Sequence, residues 1–284
     1  FLWLYLKTRN TNKILKGVIH YGMGIGFLAS IILPLMILLK FLLGLEGTVT
    51  GWLAIGTLVG LVSLCIINAN SIVVRKITLT SEKLSVARCL AFISDIHVGS
   101  NPPAHLGRIC HALAKLEFEY LLIGGDLFDS SDFRFEDIAA LGTIDANIYF
   151  VTGNHEYYIQ NYQKHLKDLN TIGIRTLNNE SIKFQGLNLI GLSDNITDKS
   201  KIDRVKELSQ NDLFNLLIVH KPSIWKKVSN NANLMLSGHT HHGQIFPFNL
   251  IVKLKFPEIY GLYNYINNFL YVSSGAATWG PKIR

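Results

Sequence analysis

Two long stretches of the chain carry no charged residue. Residues 17–39, GVIHYGMGIGFLASIILPLMILL, lie between Lys16 and Lys40, and a second gap of 28 residues separates Glu46 from Arg75. About 20 apolar residues at ~1.5 Å rise cross a ~30 Å hydrocarbon core, so the pattern predicts transmembrane helices over about 17–39 and 48–70. Neither stretch shows a polar face, which weighs against two buried core helices of a soluble domain. From about residue 72 the pattern changes. SIVVRKITLT alternates like a strand, and CLAFISD, YLLIGGD, NIYFVTGN, FNLLIVH and NLMLSGH are short β-branched or aromatic runs, each ending in a polar cluster. IKFQGLNLIGLSD reads as a hairpin turning at Gln185-Gly186. Helices are expected near 103–116, 157–169, 201–209 and 222–229. Strands alternating with helices predict an α/β architecture with layers of sheet and helix.

Composition sharpens this division. A mean hydropathy of +0.26 is high for a purely soluble protein. Of the +7 net charge, residues 1–46 hold five Lys/Arg against one Glu, or +4, leaving 22 basic and 19 acidic residues, or +3, for the rest. The basic flank would favour anionic lipid, while the remainder has no basic footprint for nucleic acid. Lys7, Arg9, Lys13 and Lys16 precede the first span, and Arg75, Lys76, Lys83 and Arg88 follow the second. The positive-inside rule then puts both flanks in the cytoplasm. Cys65, Cys89 and Cys110 lie apart, with no metal-ligand spacing. The chain begins with Phe1, and FLWLYL reads as the tail of an earlier span rather than a signal peptide. The expected organisation is therefore a membrane region over 1–70 and a catalytic domain over 71–284.

The chemistry gathers just after the predicted strands, at the edge where α/β sheets usually bind ligands. In order, the loops supply Asp95 and His97 (SDIH), Asp126 and Asp129 (GGDLFD), Asn154, His155 and Glu156 (TGNHE), His220 (VHKP), and His239, His241 and His242 (SGHTHHGQ). Singly each is weak, since a lone histidine after a strand is more often structural. Together they form a set of carboxylates, imidazoles and one amide carbonyl without thiolate, which suits Mn²⁺, Fe or Zn²⁺. The ligands suffice for two divalent ions. Such a pair needs a bridging carboxylate, holds water or hydroxide between its members, and clamps phosphoryl oxygens during in-line displacement. Glycines beside the ligands, Gly125, Gly153 and Gly238, let the backbone approach closely.

The ordered set D-x-H, G-D-x-x-D, G-N-H-E, a lone His and G-H-x-H resembles the calcineurin-like metallophosphoesterase superfamily. The version GHTHxGQ behind membrane spans is similar to its bacterial membrane-associated branch. The resemblance covers roughly residues 72–280 and implies a two-sheet β-sandwich flanked by helices. It also implies that Asp95, His97 and His241 hold one metal, that Asn154, His220 and His239 hold another, and that Asp126 bridges. His155 would act as general acid or stabilise the transition state, a role its near-neutral titration permits. Asp129 and Glu156 would orient imidazoles, with surface acidic residues as the plain alternative. His242 stands where the branch often has Gly or Asn, so it is either a substrate contact or merely tolerated. His20, His105, His111 and His165 fall outside any motif. The family's sheet usually adds a strand after the SSGxxxWGP segment, so the C-terminus at Arg284 reads as incomplete.

These features predict an integral protein of a bacterial inner membrane, its domain cytoplasmic, hydrolysing a phosphoester or pyrophosphate bond. The apolar segment IFPFNLIVKLKFPEIYGLYNYI is read as strand and core packing, or as a lip beside the metals that faces the bilayer and accepts an amphipathic phosphoester. The alternatives are an inactive phosphoesterase-fold membrane scaffold, a cyclic nucleotide phosphodiesterase and a metal-dependent nuclease. The scaffold would have lost ligands, and none is missing. The nuclease would need a basic groove with stacking aromatics.

Overall fold

The computed structural model describes residues 13–130, 133–184 and 186–284. The basic residues Lys7 and Arg9, the FLWLYL segment and Gln185 lie outside them. The described chain divides into two units, one of residues up to Ser71 together with Thr278–Arg284, the other of Ile72–Ala277.

The first unit is a helical hairpin of α1 (Lys13–Leu43) and α2 (Gly47–Asn70). Both helices are long and apolar enough to cross a membrane. They run slightly beyond the ranges expected from the charge-free stretches. Their large side chains point outward in bulk, with Leu33, Ile37, Phe41, Trp52, Ile55 and Val59 all exposed. The C-terminal segment packs within this unit. A Cβ at Gly24 would overlap the side chain of Ile283, and the Arg284 N–H donates to the Cys65 carbonyl at 2.9 Å.

The second unit is a four-layer sandwich of two sheets with helices outside. Strands β1 (Leu90–Ile93), β2 (Tyr120–Gly124), β3 (Asn147–Val151) and β4 (Ile174–Thr176) form a parallel sheet in the order β1-β2-β3-β4. Strands β5 (Glu180–Phe184), β6 (Leu187–Leu192), β7 (Phe214–Val219), β8 (Leu234–Ser237), β9 (Gly261–Tyr265) and β10 (Asn268–Val272) form the other, in the order β5-β6-β7-β8-β10-β9. β5 and β6 pair antiparallel across the expected hairpin.

Period-2 side-chain alternation explains how one strand serves two cores. Leu122 and Val151 join Leu189, Leu216, Ile218 and Leu236 between the sheets. Leu121, Ile123 and Phe150 face the other way, against α3 (Pro103–Leu113), α4 (Phe135–Ala139) and α5 (Tyr162–Thr171). Leu217 and Val219 face α6 (Asp198–Leu208) and α7 (Trp225–Val228), where Trp225 is fully buried. Strands covered on both faces read as nearly continuous apolar runs, and in β6 and β7 the polar interruptions Asn188 and Asn215 are buried and hydrogen-bonded to each other. Burying Trp225 makes it worth ~3–5 kcal/mol against alanine.

Two expectations are corrected. SIVVRKITLT belongs to no ladder: residues 71–80 have no regular secondary structure, and Ile72 and Leu79 rest against the cores without strand pairing. Alternation favours a half-buried extended chain, but it does not supply a hydrogen-bonding neighbour. The segment after the last histidine is not strand at its start, because residues Phe248–Lys255 form α8, none of them buried. Pro247 and Pro257 bracket it, and eight of the nine residues between them close helical turns.

Candidate metal centre

Every sequence-predicted ligand except Asn154 and His239 is nearly or fully buried. β1 delivers Asp95 and His97, β2 delivers Asp126, β3 leads to Asn154 and His155, β7 ends at His220, and β8 leads to His239 and His241. All sit at the C-terminal edges of parallel strands, so the two sheets bring five loops together.

Three groups of side chains could each hold an ion: Asp95 with His97 and His241, His97 with Asp126 and His155, and Asp126 with His220 and His239. In the first, His97 Nε2 lies 3.1 Å from His241 Nε2, and His241 Nε2 lies 3.4 Å from Asp95 Oδ1. In the last, His220 Nε2 lies 3.0 Å from Asp126 Oδ2 and 3.2 Å from His239 Nδ1. Asp126 Oδ2 stands between the groups, 4.0 Å from His97 Nε2 and 3.9 Å from His155 Nε2. Asn154 carries a buried Oδ1 without a hydrogen-bond partner. A buried amide oxygen left so costs free energy unless something else satisfies it. A cation does that. The donor set and this orphaned oxygen therefore fit divalent metal.

The backbone is strained where the ligands sit. Asp95, His97, Asp126, His239 and His241 all adopt positive φ, between 47° and 71°. Such conformations cost on the order of 1–3 kcal/mol each in non-glycine residues and cluster at functional sites. Two glycines permit the close packing. A Cβ at Gly153 would overlap the Asp126 carboxylate, and one at Gly238 would overlap that of Asp95.

Around the ligands, partners hold the rings and loops. His220 Nδ1 meets the Gly124 carbonyl at 2.9 Å, which aims Nε2 at Asp126. Asp129 Oδ1 lies 2.5 Å from His155 Nδ1, and Ser100 Oγ donates to its other oxygen. Glu156 does something other than orient an imidazole. Its carboxylate accepts the N–H groups of Asp126, Phe128 and Gly153 at 3.1, 2.9 and 2.6 Å, clamping the GGD and TGN loops to each other. His242 is exposed, stacked on Tyr260 with ring centroids 4.5 Å apart. His105, set aside on sequence, meets the Ala276 carbonyl at 2.8 Å, in the segment whose N–H groups bond Ser94 and Asp95.

Sequence reasoning missed one cluster. Asp194 follows β6 at the same sheet edge and is paired at 2.5 Å with both the buried Lys201 and Lys221. The polar end of the LSD run was its available signal.

The electrostatics follow from burial and pairing. Burial pushes Asp95 up to about 6, with Asp126 adding to the rise against opposition from His220 and hydrogen bonds. Burial acts most strongly on Asp126 too, but His220, His155 and His97 together hold it well below the usual carboxylate range. His220 is driven up to about 10, because Asp126 and Asp95 outweigh the burial that disfavours its charge. His155 is also raised: burial opposes its charge, but the Asp129 hydrogen bond and the charges of Asp126 and Asp129 prevail. Burial pushes Glu156 up to about 7, with Asp126 adding to the rise. Burial and the charge of His220 hold His239 well below the ordinary imidazole range.

Comparison with known proteins agrees with this geometry. Residues 90–243 match the calcineurin-like phosphoesterase family, a span that includes every ligand position. An uncharacterized metallophosphoesterase of Helicobacter pylori is 34% identical over 215 residues, covering 72% of this chain and 58% of that protein. A bovine (Bos taurus) transmembrane protein with metallophosphoesterase domain is 31% identical over 220 residues, covering 69% of this chain and 50% of that protein. The chain thus spans 50–58% of the length of these relatives. A phosphopantetheinyl hydrolase structure from Mycobacterium tuberculosis aligns at 16% identity and a TM-score of 0.43, covering 66% of this chain and 89% of that one. Matched through its site-bearing core, the chain belongs to the calcineurin-like phosphoesterase family.

Proposed function

We propose that this protein is a membrane-anchored, two-metal phosphoesterase, hydrolysing a phosphoester or pyrophosphate bond. The observation that carries this reading is the position of Asp126. Its Oδ2 lies 3.0 Å from His220 Nε2 and 4.0 Å from His97 Nε2, within reach of ligand groups on both sheets. Asp95, His97 and His241 would hold one ion, and Asn154, His220 and His239 the other, with Asp126 common to both. Divalent ions such as Mn²⁺, Fe or Zn²⁺, when bound, supply Lewis acidity toward a phosphoryl group and a nucleophile from water at neutral pH.

The chain's own residues do the rest. His155 is held by Asp129 at Nδ1, leaving Nε2 toward the centre, 3.9 Å from Asp126 Oδ2. The Asp129 hydrogen bond and the charges of Asp126 and Asp129 raise its pKa against burial, which favours the protonated ring. The proton on Nε2 is then available to the leaving-group oxygen as the phosphorus–oxygen bond breaks. The exposed His242 stacks on the half-buried Tyr260 next to the last ligand loop, and Arg75 lies 5.4 Å from the Tyr260 ring centroid. They are the groups proposed to meet substrate beyond the phosphoryl itself.

The anchor is argued from α1 and α2, whose outward apolar side chains suit lipid better than water. A relative named for its transmembrane character points the same way. Basic residues on both flanks favour the cytoplasmic side of a bacterial inner membrane.

The test is Mn²⁺-dependent hydrolysis by the detergent-solubilised full chain of a chromogenic phosphodiester, a phosphomonoester and a nucleotide-diphosphate lipid. Hydrolysis of one of them, abolished by Asp126→Ala and by His155→Ala, is the expected result. A chain that binds no divalent metal and hydrolyses none of the three overturns the reading in favour of a scaffold.

A further inference from the structure

Helix α8 follows the last metal-ligand loop and presents an unusual surface. Leu250, Ile251 and Leu254 are 56%, 60% and 87% exposed, and Phe246 just ahead of the helix is 73% exposed. At about 100° per residue, the three aliphatic side chains lie on one face within an arc of roughly 100°. Lys253 falls on one side of that face and Lys255 on the other. Asn249 and Val252, both half-buried, occupy the opposite side. An apolar face bordered on both edges by lysines matches a helix lying in a lipid–water interface. There the aliphatic groups enter the acyl boundary while the ammonium groups rise to anionic headgroups.

The helix is firmly tied to the metal-ligand loop. Any Cβ at Gly243 would overlap Asn249, so the loop and the first turn of α8 pack backbone to backbone. At the other end Phe256 meets the His239 ring, centroids 5.2 Å apart, and Lys255 Nζ lies 5.5 Å from the centroid of Phe256. The apolar face is thus carried by the same element that positions His239 and His241.

We infer that α8 is a second membrane contact, an interfacial helix that docks on an anionic leaflet and opens the metal centre to phosphoesters residing in that bilayer. The occupant of the face is lipid, argued from its lysine borders and from the chain's own pair of membrane-length helices. Those helices end at Asn70, so the domain that begins at Ile72 is tethered close to a bilayer. Tethering raises the effective concentration of lipid, so a short helix suffices. The substrate class, though not the docking itself, rests on the phosphoesterase reading.

The test uses the full chain in proteoliposomes of phosphatidylcholine and phosphatidylglycerol. In a background with Cys65, Cys89 and Cys110 replaced by alanine, Leu254→Cys and, as a solvent-facing control on α6, Glu207→Cys are labelled with an environment-sensitive fluorophore. Expected is quenching at 254 by doxyl-labelled lipid several-fold stronger than at 207, with protection from aqueous iodide. Quenching at 254 by iodide as at 207 overturns the inference. So does protection from both quenchers, which would mean that protein, such as a second copy of this chain, covers the face. Omitting phosphatidylglycerol should weaken the lipid quenching. Because the readout involves no turnover, an inactive protein with a lipid-embedded α8 would refute the phosphoesterase reading and leave the docking intact.

Discussion

The two ends of the metal centre use the same residue types and arrive at opposite protonation. At one end Asp95 is fully buried, and the His239 N–H reaches its oxygens at 3.1 and 3.2 Å. Burial dominates there, and the carboxyl keeps its proton up to about pH 6. At the other end Asp126 is just as deep, but His220 stands 3.0 Å away with His155 and His97 behind it. There the proton sits on the imidazole, which holds it to about 10. The difference is one of neighbours, since desolvation is severe at both ends. It implies that the two ends meet a cation unequally at neutral pH, one with a carboxylate that has already released its proton and the other as a preformed ion pair that must surrender one.

The hardest blow to this comparison is a change at the residue both ends share. Asp126→Ala should cost on the order of 10³-fold in kcat, as expected when a principal charge-organising group is lost. It should also lower bound metal at both ends. Asn154→Ala, at the residue proposed to serve one end alone, should lower metal content by about half that loss. Elemental analysis of the purified variants separates the outcomes, and equal stoichiometry in the two would contradict a shared Asp126.

A smaller effect is expected from Asp129, which reaches the centre only through His155. Asp129→Asn removes the charge that helps raise the His155 pKa and weakens the contact that orients its Nδ1. A loss of roughly 10–100-fold is expected, as for other groups that position a functional histidine. The alkaline limb of the rate–pH profile should shift to lower pH, because a less stabilised imidazolium gives up its proton sooner. Metal content should stay intact. A uniform loss of rate without that shift would assign Asp129 to loop packing alone.

Much of this centre is legible in the sequence, because the ligands stand immediately after short apolar runs. A parallel strand buried on both faces announces itself as such a run, and its end marks the functional edge. The parts that stayed illegible depend on partners distant in sequence. SIVVRKITLT has the alternation of a strand, yet whether it pairs depends on a free sheet edge, which no local pattern encodes. FNLIVKLK contains both strand-like and helical spacing, and only the flanking prolines favour the helix. Glu156 sits in a ligand motif, but its carboxylate serves three backbone N–H groups from two loops that meet only in the fold. Asp194 gave no sign that Lys201, seven residues on, would be buried with it.

The mildest test of the comparison is pH itself. Metal binding displaces protons from its ligands, so affinity climbs with pH until the ligand's own pKa is passed. For Asp95, raised to about 6, competition by protons ends just above that value, and the end built on Asp95, His97 and His241 should load with nearly constant affinity through the neutral range. For His220, raised to about 10, competition persists, and affinity at its end should rise about tenfold per pH unit through the neutral and mildly alkaline range. The sign also runs through stability. In the metal-free protein the His220–Asp126 pair stabilises the fold fully below the ordinary imidazole pKa, and that contribution fades as pH rises through about 10. Calorimetric titration with Mn²⁺ at several pH values should therefore resolve two events whose separation narrows as pH increases. A constant separation would mean that the ends share their protons and act as one site.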